Sequence, residues 1–315
     1  MDILITGSLG YDYIMDFAGR FADRIMPEAL HKLSLSFLVD TLSKQFGGTA
    51  GNLAYTLNLL GENPRIIAPA GNDFQPYMAF LKKHHIDVSG ISVYKDEKTS
   101  SYFGITDADD NQIGSFYVGA MKYAKDKKLA PFVGNPKKTI AALGPIDPVA
   151  MVLFAKECQS LSLSYLYDPA FQIANLSPKD LKAGISGASM VIGNDYEILL
   201  IQKQLGISHD ELLSLTPCVI TTLGAKGSLI EKNKERYGIA PAAVVNASDP
   251  TGAGDAYRGG FLAGFVRGFD FPVCGQMGSV AAAYTVEAYG TVTHTYTKKQ
   301  FANRYEKNYG TRIEL

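Results

Sequence analysis

Short strand-like runs alternate with helix-like patterns along most of this chain, and this alternation limits the possible folds more than any other feature. Aliphatic, strand-like runs lie at 2–7, 65–70, 139–143, 163–167, 189–193 and 218–222. Helical spacing of apolar residues is found at 50–60, 75–84, 147–158 and 195–204, and again near 253–267, 273–288 and 297–306. Strands that alternate with crossover helices form a mainly parallel sheet. We therefore predict an α/β fold with helices on both faces of such a sheet.

Three β-prone segments, at about 12–20, 33–46 and 99–118, interrupt this alternation because they have no crossover helices of their own. We expect them to form a small lid. In the second segment the apolar residues Leu33, Leu35, Phe37 and Val39 alternate with Ser34, Ser36 and Leu38. One face of the lid would then be more apolar than a bound ligand could cover. A homodimer through the lid strands follows as a hypothesis.

Composition excludes several other classes of protein. The chain has 315 residues, of which 46% are hydrophobic, and a formal charge of −1, so it has no basic field for nucleic acid or for anionic lipid. It lacks an 18-residue apolar run and a secretory signal pattern at its start. Its cysteines, Cys158, Cys218 and Cys274, are widely spaced in apolar surroundings, so we expect them to be core thiols. We expect a cytoplasmic protein without membrane or nucleic-acid partners.

The segment Asp249-Pro250-Thr251-Gly252-Ala253-Gly254-Asp255 leads into a long apolar helix-like stretch. Its glycines let backbone N–H groups converge on one anion, and the helix start adds partial positive charge. Asp255 would then place a carboxylate beside that anion, where it could accept a proton from an attacking hydroxyl. The alternative is an ordinary loop-to-helix junction in which Asp255 only favours the positive helix end.

Two further motifs have both a chemical and a purely structural interpretation. Gly47-Gly48 precedes a helical pattern, and the glycines would let a polar ligand approach the backbone while Asn52 offers a donor and an acceptor. The alternative is a strand-to-helix turn with an exposed Asn. Asn194 and Glu197 follow a strand-like run and fit either a polar site or a helix capping box.

The string DPTGAGDAYRGGF resembles the C-terminal signature of the ribokinase-like, or PfkB, family of small-molecule kinases, and Gly47–Gly61 resembles its N-terminal sugar-binding signature. The resemblance implies a three-layer sandwich with a β-sheet lid, forming a single kinase domain over residues 1–315. It also implies ATP, with Asn194, Thr222, Gly224 and Gly227 at the nucleotide and Gly252, Ala253 and Gly254 as the anion hole. Asp255 would be the general base, and Glu197 would hold Mg²⁺ through water. A monovalent cation such as K⁺ would lie near Asp249 and Thr251.

Other segments resemble the adenosine kinases of the actinobacterial type: Ser8–Asp12, His31–Asp40, Ser115–Met121 and Asn194–Glu197. Most members of the family have Thr directly after the Asp of this motif. The presence of Pro250 there instead resembles the adenosine kinase branch. The resemblance implies that Asp12 binds the ribose diol, with Ser8, Gly48 and Asn52 also at the substrate. The residues implied around the base are Ser36, Phe37, Phe103, Phe116 and Gln172. Each Phe could equally be ordinary strand packing.

The sequence therefore predicts ATP-dependent phosphorylation of the adenosine 5′-hydroxyl. A kinase of ribose or fructose, or of inosine or guanosine, stays open on the same scaffold, as does a nucleoside-binding sensor without activity. A dinucleotide-dependent oxidoreductase is disfavoured, because no GxGxxG follows the first strand. Gly224-Ala225-Lys226-Gly227 lacks the spacing of a Walker A loop, so ATP would be bound without a P-loop.

Overall fold

The computed structural model describes residues 1–26, 34–109 and 111–315. Its strands are β1 Asp2–Thr6, β2 Gly10–Asp16, β3 Thr41–Gly47, β4 Pro64–Gly71, β5 Asp87–Tyr94, β6 Ser100–Thr106, β7 Gln112–Tyr117, β8 Thr139–Leu143, β9 Ser164–Tyr167, β10 Met190–Asn194, β11 Cys218–Thr222, β12 Ser228–Lys232 and β13 Glu235–Ile239. Its α-helices are α1 Thr49–Leu59, α2 Gln75–Lys83, α3 Pro148–Ser160, α4 Pro178–Ser186, α5 Asp195–Leu205, α6 His209–Leu215, α7 Ala253–Val266, α8 Phe271–Val286 and α9 Lys298–Tyr309.

The larger sheet has the strand order β13-β12-β11-β10-β9-β8-β1-β4-β5. Every pairing from β5 to β11 is parallel, whereas β12 and β13 add an antiparallel hairpin at one edge. The chain winds outward from β1 to β4 and β5 on one side, and then from β8 to β11 on the other. The strand order therefore reverses between β1 and β8, and open α/β sheets bind ligands beyond the carboxyl ends of their strands at such a reversal.

Helices cover both faces of this sheet. Successive residues of β1 enter opposite cores, with Ile3 and Ile5 in one cluster and Leu4 in the other. The first cluster includes residues of α1, α2, α7, α8 and α9, and the second includes residues of α3 to α6. This alternation is what a strand buried on both faces requires. The predicted α/β fold with a mainly parallel central sheet is confirmed.

A second, smaller sheet has the order β3-β2-β6-β7. β2 runs antiparallel to β3 and parallel to β6, and β7 closes an antiparallel hairpin with β6. In the predicted lid segment 33–46, residues 34–39 have no regular secondary structure and Leu33 lies outside the described residues. β2 leaves β1 close to the strand-order reversal and β3 returns directly into α1. The small sheet is therefore anchored at the edge where ligands are expected.

Two expectations from composition concern burial and membranes. Cys158, Cys218 and Cys274 are buried, free thiols, as expected for core residues. Within the described ranges, every helix is too short or too polar to span a bilayer.

Candidate active site

The start of α7 is where the sequence predicts an anion-binding turn. Gly252 adopts a left-handed backbone (φ 79°), and a Cβ there would lie 3.0 Å from the Thr291 side chain. The N–H of Ala253 donates to the carbonyl of Pro250 at 3.1 Å, so this amide of the predicted anion hole is engaged within the turn. The following N–H groups of Gly254 and Asp255 belong to the first helical turn, which cannot satisfy its own donors. They face the position where a negative charge is most favourable.

Asp255 lies in the first turn of α7 and is half-buried. Its Oδ2 accepts a hydrogen bond of 2.8 Å from Asn52 Nδ2 on α1, and Asn52 Oδ1 has no partner among the described residues. Burial raises the pKa of Asp255 to about 6, although Arg258 and the Asn52 hydrogen bond favour the charged form. A carboxylate with this pKa is mostly ionised at neutral pH and can still take up a proton, as a general base must.

Asp12 extends from lid strand β2 toward the same site. Its carboxylate lies against Gly47 of β3, where any Cβ would overlap it. Burial raises the pKa of Asp12 to about 6, and the charge of Asp249 adds to the shift. The charge of Asp12 in turn contributes to the raised pKa of Asp255. The structure thus brings together the two carboxylates that the sequence assigned to sugar binding and to catalysis.

Ser8 and Gly48 shape the backbone around this pair. Ser8 is buried, and its Oγ accepts a hydrogen bond of 3.2 Å from Thr49 N at the start of α1. Gly48 has φ 88°, and a Cβ at this position would lie 2.8 Å from the N of Gly10. Only glycine permits that close approach of β1–β2 to α1. These two residues fix the position of α1 and with it that of Asn52.

Phe116 is placed at the Asp12 side of the lid. Asp12 is paired with Tyr102, and Tyr102 with Phe116, so all three side chains share one face of the small sheet. The Phe116 ring lies 6.2 Å from that of Phe171, which precedes the buried Gln172. Phe171 is 54% exposed, and its place beside Phe116 gives the site a second exposed aromatic ring that sequence analysis missed. In the sequence, the one indication that Phe171 lies at the site was its position next to Gln172.

Phe103 is on the other face. It is paired with Tyr13, and the two rings stack at 4.8 Å with an interplanar angle of 8°. Because successive residues of a strand point to opposite sides, Tyr13 and Phe103 face away from Asp12 and Phe116. The structure therefore does not bring Phe103 to the predicted base pocket.

Phe37 and Ser36 are also placed apart from Asp12. Phe37 packs against Phe17 and Phe21, with 5.0 Å between ring centroids in each pair, and Ser36 is exposed beside it. Phe17 follows the end of β2, five residues beyond Asp12, which corresponds to about 17 Å along an extended strand. The aromatic side chain buries itself at the far end of the lid, because apolar partners are available there.

Three of the four predicted nucleotide residues line a cleft of about 670 Å³ at the carboxyl edge of the large sheet, whereas Asn194 is not among its lining residues. Thr222, Gly224 and Gly227 form one wall, and the start of α7, including Ala253 and Gly254, forms another. The remaining wall is mostly aliphatic and comes from 241–247 and α8, with Tyr257 and Asn308 beside it. An apolar cleft that ends at an anion-binding turn fits the base and the phosphates of a nucleotide.

Replacement of Gly227 tests whether this wall of the cleft depends on the backbone conformation of residue 227. It has φ 91°, and a Cβ would overlap the carbonyl oxygen of Ile239. We expect Gly227→Ala to destabilise the fold by about 1–3 kcal/mol and to raise the KM for ATP. Gly206→Ala is the control, because Gly206 also has positive φ (65°) but nothing lies within 4 Å of its Cβ position. Equal changes in denaturant midpoint for the two variants would contradict this account.

Asn194 and Glu197 form the capping box of α5. Asn194 Oδ1 accepts from Glu197 N at 2.8 Å, and Glu197 Oε2 accepts from Asn194 N at 2.8 Å. Glu197 is nevertheless half-buried and close enough to Asp255 for its charge to raise that pKa. Its second oxygen, Oε1, stays outside the capping box. The two interpretations of this motif are therefore compatible: one oxygen caps the helix, and the other is a hard donor of the kind that Mg²⁺ and its waters prefer.

Asp249 organises the loop before the anion-binding turn. Its Oδ1 accepts from Thr251 N at 2.9 Å and its Oδ2 from Gly290 N at 3.0 Å. These bonds connect the two loops that follow β13 and α8. Among the described residues there is no cluster of three or more His, Cys, Asp or Glu side chains able to hold a metal ion.

Two charged residues beneath the first turn of α7 were not predicted from the sequence. Asp168 lies just after β9 and Arg258 lies in α7, and both are buried. Arg258 Nη2 donates to Asp168 Oδ1 at 2.9 Å. Two features of the sequence could have pointed to this pair: an acidic residue directly after an apolar strand, and an arginine inside an apolar helix.

The strand order reverses beside a helix start, a half-buried carboxylate and a nucleotide-sized cleft. This arrangement fits a small-molecule kinase. A family model described as pfkB family carbohydrate kinase matches residues 11–298, and the chain belongs to that family. Its fold is the ribokinase-like fold.

Several relatives are similar over nearly the whole chain. A nucleoside kinase from Methanocaldococcus jannaschii is 30% identical and covers 97% of both chains. The solved structure of Burkholderia thailandensis nucleoside kinase in complex with inosine has a TM-score of 0.90 at 32% identity, covering 99% of this chain and 100% of that chain. The structure of the same kinase in complex with ADP-inosine has a TM-score of 0.88 at 33% identity, covering 99% and 97%.

Proposed function

We propose that this protein transfers a phosphoryl group from ATP to the 5′-hydroxyl of a purine ribonucleoside. The observation that carries the proposal is the placement of Asp12 and Asp255 on either side of one site, beside the nucleotide-sized cleft. A carboxylate such as Asp12 accepts two hydrogen bonds from a cis-diol, and exposed aromatic rings at Phe116 and Phe171 suit a flat base.

Adenosine is the acceptor that we propose first, as the sequence resemblance implied. Inosine is the second candidate, and the observation in its favour is the complex of the Burkholderia thailandensis kinase with inosine. Both nucleosides have the same ribose and differ at the base edge, for which the sequence resemblance implies Gln172 as a contact. Purine salvage in the cytoplasm is the role that either acceptor would serve.

In the proposed reaction Asp255 takes the proton of the 5′-hydroxyl as that oxygen attacks the γ-phosphorus in line, and the bond from the γ-phosphorus to the β,γ-bridging oxygen breaks to release ADP. Asn52 holds Asp255 through its Nδ2. Asp12 holds the ribose so that the 5′-hydroxyl faces Asp255. The first-turn amides of α7 stabilise charge on the transferring group. The aliphatic wall of the cleft excludes water from the adenine of ATP.

The donor set fits magnesium as a partner of ATP. Glu197 Oε1 would hold it through water, and Mg²⁺ would neutralise charge on the β- and γ-phosphate oxygens. We keep Asp249 and Thr251 as the proposed place for a monovalent cation such as K⁺. Turnover measured with and without Mg²⁺, and in K⁺ against a large organic cation, tests each ion separately.

The proposed function is tested by ATP turnover with adenosine, inosine, guanosine, ribose and fructose side by side, with the product identified by mass. We expect a nucleoside monophosphate from adenosine or inosine at a kcat/KM far above that for the free sugars, since only a base occupies the aromatic pocket. A preference for ribose or fructose would replace this proposal with a sugar kinase. Nucleoside binding without turnover would favour a sensor.

We expect kcat/KM to fall as the pH drops through about 6. Asp12 and Asp255 both have pKa values raised to about 6, mainly by burial. Asp255 must be ionised to take up a proton, and Asp12 must be ionised for both of its oxygens to accept from the ribose hydroxyls without a proton between them. Above that pH both are charged, and below it both become protonated, so activity is lost on the acid side. A pH profile of kcat/KM between 5 and 8 at saturating ATP checks this, and an acid limb below about 4.5 would contradict the raised values.

We propose a homodimer through the outer lid face, defined by Leu42, Phe103 and Ile113. These side chains are 66%, 39% and 42% exposed and lie on the side of the small sheet that points away from Asp12. Light scattering should give twice the monomer mass of 34.1 kDa. Leu42→Glu should return it to a monomer, whereas Leu199→Glu, at a similarly exposed residue of α5 (62%), should not. A monomer in the unmodified protein at micromolar concentration would refute the dimer.

A further inference from the structure

A buried ion pair lies directly beneath the catalytic turn. Asp168, at the carboxyl end of β9, is 3% exposed, and Arg258 of α7 is 8% exposed. Arg258 Nη2 donates to Asp168 Oδ1 at 2.9 Å, and Nε lies 2.5 Å from Oδ2. Burying two charges costs several kcal/mol of desolvation, so such a pair is weak evidence for a role in stability alone.

The rest of the guanidinium is directed toward the catalytic residues. Arg258 follows Asp255 by three residues on α7, which places both side chains on one face of the helix. A Cβ on Gly254 would lie 2.8 Å from Arg258 Nη1, so this nitrogen lies against the turn that bears Asp255. Asp168, Arg258 and Asp255 also line one small enclosed space with Thr6 and Gly144.

Negatively charged side chains from several elements surround Asp255. Asp12 faces it from the lid, Glu197 from α5, and Asp168 from β9 through Arg258, while the neutral Asn52 faces it from α1. Asp168, Asp255 and Glu197 lie around the Arg258 cation, and together they raise the pKa of Arg258 despite its burial. Without that cation, repulsion among the carboxylates would favour protonation of Asp255.

We propose that Arg258 is a positioning residue that keeps Asp255 ionised and oriented to accept the proton, with Asp168 anchoring the guanidinium in place. This proposal rests on the function proposed above. Arg258 touches neither the sugar nor the transferred phosphate in this account, because it acts through Asp255 from beneath. The arrangement makes the catalytic base one member of a charge network that extends into the core of the sheet.

The test compares Arg258→Met and Asp168→Asn, which both break the ion pair but change the charge in opposite directions. Loss of the cation should move the acid limb of kcat/KM up by about 1 pH unit or more, whereas loss of the anion should move it down. Arg258→Lys, which keeps the charge, should keep the limb within a few tenths of a unit while lowering kcat. A purely structural pair would lower kcat/KM in both variants and leave the limb unmoved, which would overturn the proposal.

A second measurement does not depend on turnover. Protein labelled with ¹³C at the aspartate carboxyl carbons can be titrated by NMR, and the Asp255 signal is assigned by its loss in Asp255→Asn. We expect its midpoint to shift up in Arg258→Met and down in Asp168→Asn, and unchanged midpoints would refute the proposal. If Arg258→Met does not fold, a downward shift in Asp168→Asn together with an unmoved midpoint in Arg258→Lys supports it, and any other pair of results overturns it. Absence of turnover with every nucleoside would refute the proposed function and leave this titration interpretable.

Discussion

Asp255→Asn should lower kcat by about 10²- to 10⁴-fold, because an amide cannot accept the proton of the attacking hydroxyl. The fold should be unaffected, since the new amide has the size of the carboxylate and its oxygen can still accept from Asn52 Nδ2. The measurement is steady-state kinetics with the best nucleoside, together with the thermal unfolding midpoint. We expect the KM for the nucleoside to change much less than kcat.

Asp210→Asn is the matched control for this variant. It makes the same change of charge on an exposed residue of the first turn of α6. Its kcat should stay within a factor of about two, since exposed charges at a distance are screened by solvent and salt. An Asp255→Asn enzyme with unchanged kcat would remove Asp255 from the role of general base. A large fall in its unfolding midpoint would show that the change acted through the fold.

Asp12→Ala should lower kcat/KM for ribonucleosides by about 10- to 10²-fold for each ribose hydroxyl that loses its acceptor, because a hydrogen bond to a charged group contributes about 1.5–3 kcal/mol. The measurement is a comparison of each nucleoside with its 2′-deoxy and 3′-deoxy analogues in both enzymes. The penalty of the mutation should shrink for the analogues, since they lack one of the hydroxyls that Asp12 binds.

Asp16→Ala provides the control within the same strand. Asp16 lies four residues beyond Asp12 on the same face of β2, and its carboxylate accepts a hydrogen bond from Thr41 Oγ1 at 2.6 Å. It should leave kcat/KM for nucleosides nearly unchanged, because it is exposed and far along the strand from the site. If the penalty at Asp12 is equal for ribose and deoxyribose substrates, Asp12 does not bind the diol.

Local sequence signals were sufficient for the backbone of the site. The glycines around Asp255 and at Gly48 require positive φ or a close backbone approach, and the structure has left-handed φ values at Gly48 and Gly252. The capping box of Asn194 and Glu197 likewise follows from residues three apart. Such features depend on nearest neighbours along the chain, so a single sequence contains the necessary information.

Pairing register decided which aromatic residues face the ligand. Phe103 and Phe116 look alike in sequence, as β-prone residues of one hairpin, but β6 presents Phe103 to the outside and β7 presents Phe116 to the inside. A shift of one residue in either pairing would exchange the two faces. Phe37 could not be placed for a related reason, since its partners Phe17 and Phe21 are remote in sequence.

The amino-acid sequence by itself determined the alternating α/β architecture, because hydrophobic periodicity is a local property. It also predicted an anion-binding turn from its glycines, whereas the roles of Asp12 and Asp255 are implied by the family resemblance and stay predictions. Only the tertiary structure decided that Asp12, Asn52 and Asp255 meet and that Phe103 faces away from Asp12. It also decided that Arg258 pairs with Asp168 beneath Asp255. The Asn52–Asp255 hydrogen bond joins residues 203 positions apart, and the Asp168–Arg258 hydrogen bond joins residues 90 positions apart. They depend on strand order and burial, and electrostatic shifts such as the raised pKa of Asp255 exist only once folding has removed water from around the charge.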